Sequence, residues 1–141
     1  MTGQRILGLD VGDRTVGVAA SDLLLMTAQG VETIRRETLE KDLARLGELM
    51  HEYDAVRLVV GLPRNMNGTE GDRCGIVRAF AEEIKKALPE ADIVFWDERL
   101  STVAAAKSLI QADVSRKKRK KVIDKMAAVF ILQGYLDSLA N

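Results

Sequence analysis

Two short apolar runs near the start of the chain, separated by a glycine-bearing turn, restrict the fold more than any later feature. Ile6-Leu7-Gly8-Leu9-Asp10 closes on an acid, and Thr15-Val16-Gly17-Val18-Ala19-Ala20-Ser21 is rich in β-branched and small residues. Only Val11 to Arg14 lie between them, so the pair predicts an antiparallel hairpin whose first strand is buried. A third strand is expected between Met26 and Ile34.

Beyond the hairpin the period changes. Leu39, Leu43, Leu46, Leu49 and Met50 recur at helical spacing with charges between them, which predicts an amphipathic helix from Leu39 to Tyr53. Arg57 to Gly61 reads as a strand stopped at Gly61-Leu62-Pro63. Arg64 to Gly71 reads as a loop, and Cys74 to Ala87 as a helix with Ile76, Val77, Phe80, Ala81 and Ile84 on one face. Ile93-Val94-Phe95-Trp96 predicts another strand, ending at Asp97-Glu98-Arg99. Ser101 or Thr102 is expected to cap a helix reaching about Gln111, and a last helix is expected from roughly Val122 to Ser138. Three strands followed by alternating helix and strand imply an α/β domain. Its mixed central sheet joins an antiparallel hairpin to parallel strands, with helices flanking it. The 141 residues fit one such domain spanning 1–141.

Composition narrows the classes. At 47% hydrophobic and 30% charged, the chain has enough apolar surface for an ordinary core and is not a disordered polymer. A lone cysteine, Cys74, rules out an intrachain disulfide and fits a reducing compartment. The N-terminal residues lack a secretory h-region, and no apolar run is long enough to span a bilayer. The expectation is a cytoplasmic protein with no membrane partner. Lysine plus arginine equal aspartate plus glutamate at 21 each, which argues against a general polyanion binder. Yet Arg116-Lys117-Lys118-Arg119-Lys120-Lys121 concentrates six cations, and local charge governs contact with phosphate.

Acids sit where acids are expensive. Asp10 closes a buried strand, Asp97 and Glu98 close a later one, and Asp124 lies near the start of the last helix. At about 100° per residue, Ala128, Ile131 and Tyr135 point within roughly 40° of Asp124, so that position shares an inward stripe; Asp137 lies about 220° away and is set aside. Buried, clustered carboxylates cost several kcal/mol unless a cation compensates. Oxygen-only ligands favour Mg²⁺ or Mn²⁺. Two such ions about 4 Å apart can activate water and stabilise a leaving oxygen at a phosphodiester, without a nucleophilic side chain. Each acid alone also has an ordinary use: a turn or cap residue, a dipole partner for Asp124, or its ion pair with Lys120 or Lys121. Asp97 and Glu98 should point to opposite faces of a regular strand, so at most one enters a site; which one stays open at this point.

Read together, the segments Gly8-Leu9-Asp10-Val11-Gly12-Asp13-Arg14-Thr15-Val16-Gly17-Val18-Ala19 and Val60-Gly61-Leu62-Pro63-Arg64-Asn65-Met66-Asn67-Gly68-Thr69 resemble the YqgF family. So do Asp97-Glu98-Arg99-Leu100-Ser101-Thr102, Ile123-Asp124-Lys125-Met126-Ala127-Ala128 and Leu132-Gln133-Gly134-Tyr135-Leu136-Asp137. Members are described as Holliday-junction resolvases and as pre-16S rRNA nucleases. The resemblance covers nearly the whole chain in order. It implies a ribonuclease H-like fold with Asp10, Glu98 and Asp124 as catalytic and metal-holding acids, favouring Glu98 over Asp97. It also implies a role in trimming the 5′ end of precursor 16S rRNA, with junction resolution in DNA as the alternative.

Other residues suggest how nucleic acid is gripped. Glycines of the 61–71 segment permit close backbone approach to phosphate, and Arg64, Asn65 and Asn67 would supply donors; an ordinary connecting loop is the competing reading. The run from Arg116 to Lys121 should flank the site and supply counter-charge. Arg14 and Arg99 flank two acids and are candidate phosphate clamps or, equally, ion-pair partners. Trp96 is expected in the core rather than as a base-stacking platform. Two further readings stand beside the nuclease: a nucleic-acid-binding factor without catalysis, and an ATPase suggested by Asp10-Val11-Gly12. The latter needs two lobes, for which this chain has no room. The expected assembly is a monomer or weak homodimer bound to precursor rRNA or structured DNA.

Overall fold

The computed structural model describes residues 4–100 and 116–140, with side chains described over 4–100 and 126–140. Strands β1 (Arg5–Val11), β2 (Thr15–Ser21) and β3 (Ala28–Arg35) come first. Helix α1 (Leu39–Glu52), strand β4 (Ala55–Leu62), helix α2 (Asp72–Ala87) and strand β5 (Asp92–Asp97) follow, then a 3₁₀ turn (Glu98–Leu100) and helix α3 (Arg116–Leu139). The five strands form one sheet in the order β3-β2-β1-β4-β5. β1 pairs antiparallel with β2, and β2 with β3, while β1-β4 and β4-β5 are parallel. The C-terminal ends of β1, β4 and β5 therefore lie along one edge of the fold. In open α/β sheets that edge is where ligands bind.

Strand alternation sorts the side chains into two layers. Leu7, Leu9, Val11, Val16, Val18, Leu58, Val60 and Leu62 pack with Leu43, Leu46 and Leu49 of α1 and with Val77, Phe80 and Ile84 of α2. Ile6, Ala19 and Val59 face the other way, onto Ala127, Ala128, Ile131, Leu132, Tyr135 and Leu136 of α3. Two glycines let α3 come close. A Cβ on Gly8 would lie 2.7 Å from Leu132 Cβ and 3.0 Å from the Ala128 carbonyl, and one on Gly61 would collide with the Ile131 side chain. The far end of α3 is fastened at the start of β4, where Arg57 pairs with Asp92 at 2.9 Å and donates to Tyr135 Oη at 3.1 Å.

Several expectations are sharpened. α1 starts on Thr38, whose hydroxyl accepts from Lys41 N. α2 begins at Asp72 and buries Val77, Phe80, Ala81 and Ile84, but Ile76 is exposed rather than on that face. The final helix begins at Arg116, so the basic run forms its opening turns instead of preceding it. Lysine and arginine are good helix formers, and a charge run is no helix stop. The helix expected from Ser101 to Gln111 falls outside the described residues. No helix among those described is long and apolar enough to cross a membrane.

Candidate active site

Asp10 is the next-to-last residue of β1 and is only 9% exposed. It shares strand parity with Ile6 and Gly8, so it belongs to the α3 side of the sheet. On β5, Ile93 and Phe95 pack toward α1 and α2, whereas Val94 and Trp96 pack toward α3. Asp97, the last residue of β5, keeps the Phe95 parity, while Glu98 opens the 3₁₀ turn and is placed by contact rather than by alternation. Glu98 Oε2 lies 3.1 Å from where a Cβ on Gly61 would be, beside Ile131 of α3. Gly61 pairs with Trp96, and extending the Leu9–Val60 register by one residue sets Asp10 beside Gly61. Two carboxylates thus end on the same face, one strand to either side of a glycine whose missing side chain makes room for Ile131 and for the Glu98 carboxylate.

Asp97 has a different neighbour. Its carboxylate accepts from Arg99 Nη2 at 2.7 Å, from Nε at 3.1 Å and from Arg99 N at 2.9 Å. The Arg99 guanidinium beside it holds the Asp97 carboxyl below the ordinary carboxylate range. Of the two uses foreseen for Arg99, the structure thus contains the ion pair.

Position 124 lies in α3 one turn before Ala128, a fully buried residue. Ile131 meets Gly61 near the end of β4, and Tyr135 meets Arg57 near its start. α3 therefore runs antiparallel to β4, and position 124 lies toward the strand ends that carry Asp10 and Glu98. Its side chain is outside the described set. Among the described residues no three His, Cys, Asp or Glu side chains gather into a metal-holding group, so the expected trio depends on Asp124. The donors that are described, one Asp and one Glu on a common face, are hard oxygens of the kind Mg²⁺ and Mn²⁺ accept.

The basic residues divide. Arg14 is exposed on the β1–β2 turn, at the same edge as Asp10. That turn is held by Gly12 N donating to the Thr15 carbonyl at 2.8 Å, by Arg36 Nη1 donating to the Gly12 carbonyl at 2.8 Å, and by an Arg73–Asp13 ion pair at 3.1 Å. Arg36 also pairs with buried Asp42 and stacks over Phe80. Arg36 and Arg73, the two supports from outside the turn, are spread along the sequence and carry no motif by which to be recognised. Arg64 is part-buried and reaches Glu70, which accepts two bonds of 2.7 Å from Arg78. Asn65 and Asn67 are exposed, yet their side chains are engaged within their own loop: Asn65 Nδ2 donates to Thr69 Oγ1 at 2.9 Å, and Asn67 Oδ1 accepts from Thr69 N at 3.1 Å. Arg116, Lys117, Lys118, Arg119, Lys120 and Lys121 occupy the N-terminal turns of α3, at the site's end of the helix. Trp96 is partly buried against the α3 layer, edge-on to Tyr135 at 6.1 Å.

A mixed sheet in the order β3-β2-β1-β4-β5, with a helix across its α3 face, is the ribonuclease H-like fold. T. thermophilus RuvC in complex with Holliday junction substrate superposes with a TM-score of 0.61 at 14% identity, over 98% of this chain and 96% of that one. Fowlpox virus resolvase, solved with Holliday junction DNA, gives 0.52 at 9%, over 98% and 100%. Those identities speak to the fold alone. Residues 4–138 match the RuvX family, described as Holliday junction resolvase. Relatives carrying the name "Putative pre-16S rRNA nuclease" include one from Desulforamulus reducens, 63% identical over 97% of this chain and 99% of the relative. Another, from Staphylococcus carnosus, is 57% identical over 99% of each. The chain belongs to the RuvX family and is a nuclease, a hydrolase of phosphodiester bonds that binds nucleic acid.

Proposed function

We propose that residues 1–141 act as one nuclease domain whose Asp10, Glu98 and Asp124 hold Mg²⁺ or Mn²⁺ and which processes the 5′ end of precursor 16S rRNA in the cytoplasm. The observation that carries this reading is the shared face and shared end of Asp10 and Glu98, on either side of Gly61. Asp10, Glu98 and Asp124 would hold the divalent ions, whose chemistry there would be to activate water at neutral pH and to neutralise charge on the phosphate. The chain's own part is to fix the carboxylate oxygens at the strand ends and, by having glycine at position 61, to let Ile131 and the Glu98 carboxylate lie close over β4. Arg14, Arg64 and the cations of the first α3 turns offset the repulsion between an acidic site and a phosphate backbone, so affinity should fall steeply with salt. Asp97 belongs outside the ligand set, because its parity and its Arg99 partner turn it to the other face. Asn65 and Asn67 serve the grip through their loop's shape and main chain.

The rRNA substrate rests on the names of the relatives at 57–63% identity. A four-way DNA junction is the second reading, favoured by the family description and by the junction-bound structures of similar fold. The protein is expected to act as a monomer or weak homodimer. The deciding assay presents 5′-leader fragments of precursor 16S rRNA and a four-way DNA junction to the purified chain with Mg²⁺, Mn²⁺ or EDTA. Metal-dependent cutting of the leader supports the proposal, and cutting of the junction alone moves the assignment to resolution. Binding without cutting of either would sink the catalytic reading for these substrates.

A further inference from the structure

The loop that leaves β4 stands between the two strands bearing Asp10 and Glu98, because β4 lies between β1 and β5 in the sheet. It is pinned throughout. Gly68 N donates to the Asn65 carbonyl at 2.9 Å, closing a β-turn with Met66 and Asn67 at its corners, and Asn65 N donates to the Thr69 carbonyl at 2.8 Å. Gly68 takes a φ of +88°, and the Arg99 guanidinium lies 3.4 Å from where its Cβ would be. Arg99 Nη1 donates to the Met66 carbonyl at 3.4 Å while the rest of the guanidinium grips Asp97. At the base, Glu70 ties Arg64 to Arg78 of α2.

What this scaffold holds out is Met66, 94% exposed. Leu100, two residues past Glu98, is 68% exposed on the segment that Arg99 joins to the loop. Isolated apolar side chains on a surface are ordinary. This one caps a turn braced by side chains from two other segments, Arg78 of α2 and Arg99 after β5, on the loop that leaves β4 at the strand-end edge where β1 and β5 bring Asp10 and Glu98. Phosphate oxygens have no use for a thioether, but the flat face of a base does, and methionine's flexible, polarisable chain suits surfaces of varied shape.

We infer that Met66 is a base-contacting finger: it packs against a nucleobase within a few nucleotides of the scissile phosphate, with Asp97 and Arg99 as the strut that positions it. The inference rests on the nuclease site proposed above and adds how that site fixes its substrate.

The test uses the full chain and a leader RNA carrying 2-aminopurine at successive positions around the cut, bound without divalent metal and read by fluorescence. The wild type should change the signal at one or two positions, and Met66→Ala should lose that change and about 5- to 10-fold in kcat/KM, mostly through KM. Met66→Leu should retain most of both. The salt dependence of binding should be the same in all three, because no phosphate contact is removed. Unchanged thermal unfolding of Met66→Ala checks that the loop's supports are intact. Unaltered fluorescence and kcat/KM in Met66→Ala would overturn the inference. So would loss of binding to ribosomal particles with naked RNA unaffected, which would give the finger to a protein partner. Because the fluorescence needs only binding, a wild type that binds without cutting would break the nuclease-site reading separately.

Discussion

The two faces of the sheet are built on opposite plans. Toward α1 and α2 the strands present Leu7, Leu9, Val16, Val18, Leu58, Val60 and Leu62, large side chains that fill a thick apolar layer. Toward α3 they present Gly8, Gly61, Ala19 and Ser21 among the larger Ile6 and Val59, with Asp10 at the end of the same stripe. The first face stabilises by area removed from water. The second gives up area so that a helix can lie nearly on the backbone and leave carboxylates at its edge. Stability and the proposed chemistry thus fall on different sides of one layer, and substitutions on the two sides should fail in different ways.

The largest effect is expected on the α3 side. Asp10→Asn, Glu98→Gln and Asp124→Asn should each lower metal-dependent cleavage by about 10³-fold or more, as loss of several kcal/mol of charge stabilisation implies, with cooperative unfolding preserved. Cleavage that survives Asp10→Asn would break the assignment of chemistry to this face. Gly61→Ala should follow. Its new methyl can push the end of Ile131 aside, but it also meets Glu98 Oε2, so about 10²-fold in kcat should be lost with a smaller change in Tm. Full activity would mean that Glu98 does not act over Gly61.

The opposite pattern is expected from Leu58→Ala, a fully buried position on the α1–α2 side. Denaturant unfolding should show about 2–5 kcal/mol of lost stability. The kcat of the folded protein should stay near the wild-type value; a large fall would show that the faces are coupled.

The smallest effect concerns the strut. Arg99 depresses the folded-state titration of Asp97, so the pair's contribution is present above the unfolded carboxyl value of about 3.9 and fades as pH falls through the lower folded value. Arg99→Gln should raise the Asp97 titration toward ordinary aspartate and remove that acid-side loss. Carboxyl-carbon NMR would decide it, and identical titration in both proteins would deny the pairing in solution.

Much of this division was already legible in the residues. Period and turn chemistry fixed the hairpin, the β4 and β5 strands, and both amphipathic helices near their observed limits, since apolar spacing of that kind has few other uses. The buried stripe of Ala128, Ile131 and Tyr135 followed from helical geometry alone. The start of α3 was not legible, because a run of cations is compatible with a helix and with a solvated linker alike. Nor were the duties of Asn65 and Asn67, whose bonds to Thr69 depend on how the loop folds back on itself.

By itself, then, the sequence determined the layered α/β plan and the small set of acids worth watching, because periodicity and the cost of burying charge act locally along the chain. Which acids share a face was decided by the tertiary structure. Asp97 and Glu98 are adjacent in sequence, and only the packing of Phe95 toward one layer and Trp96 toward the other separates a carboxylate tied to Arg99 from one above Gly61. Strand parity gives every residue a side, but only the layers on either side of the sheet give those sides a meaning.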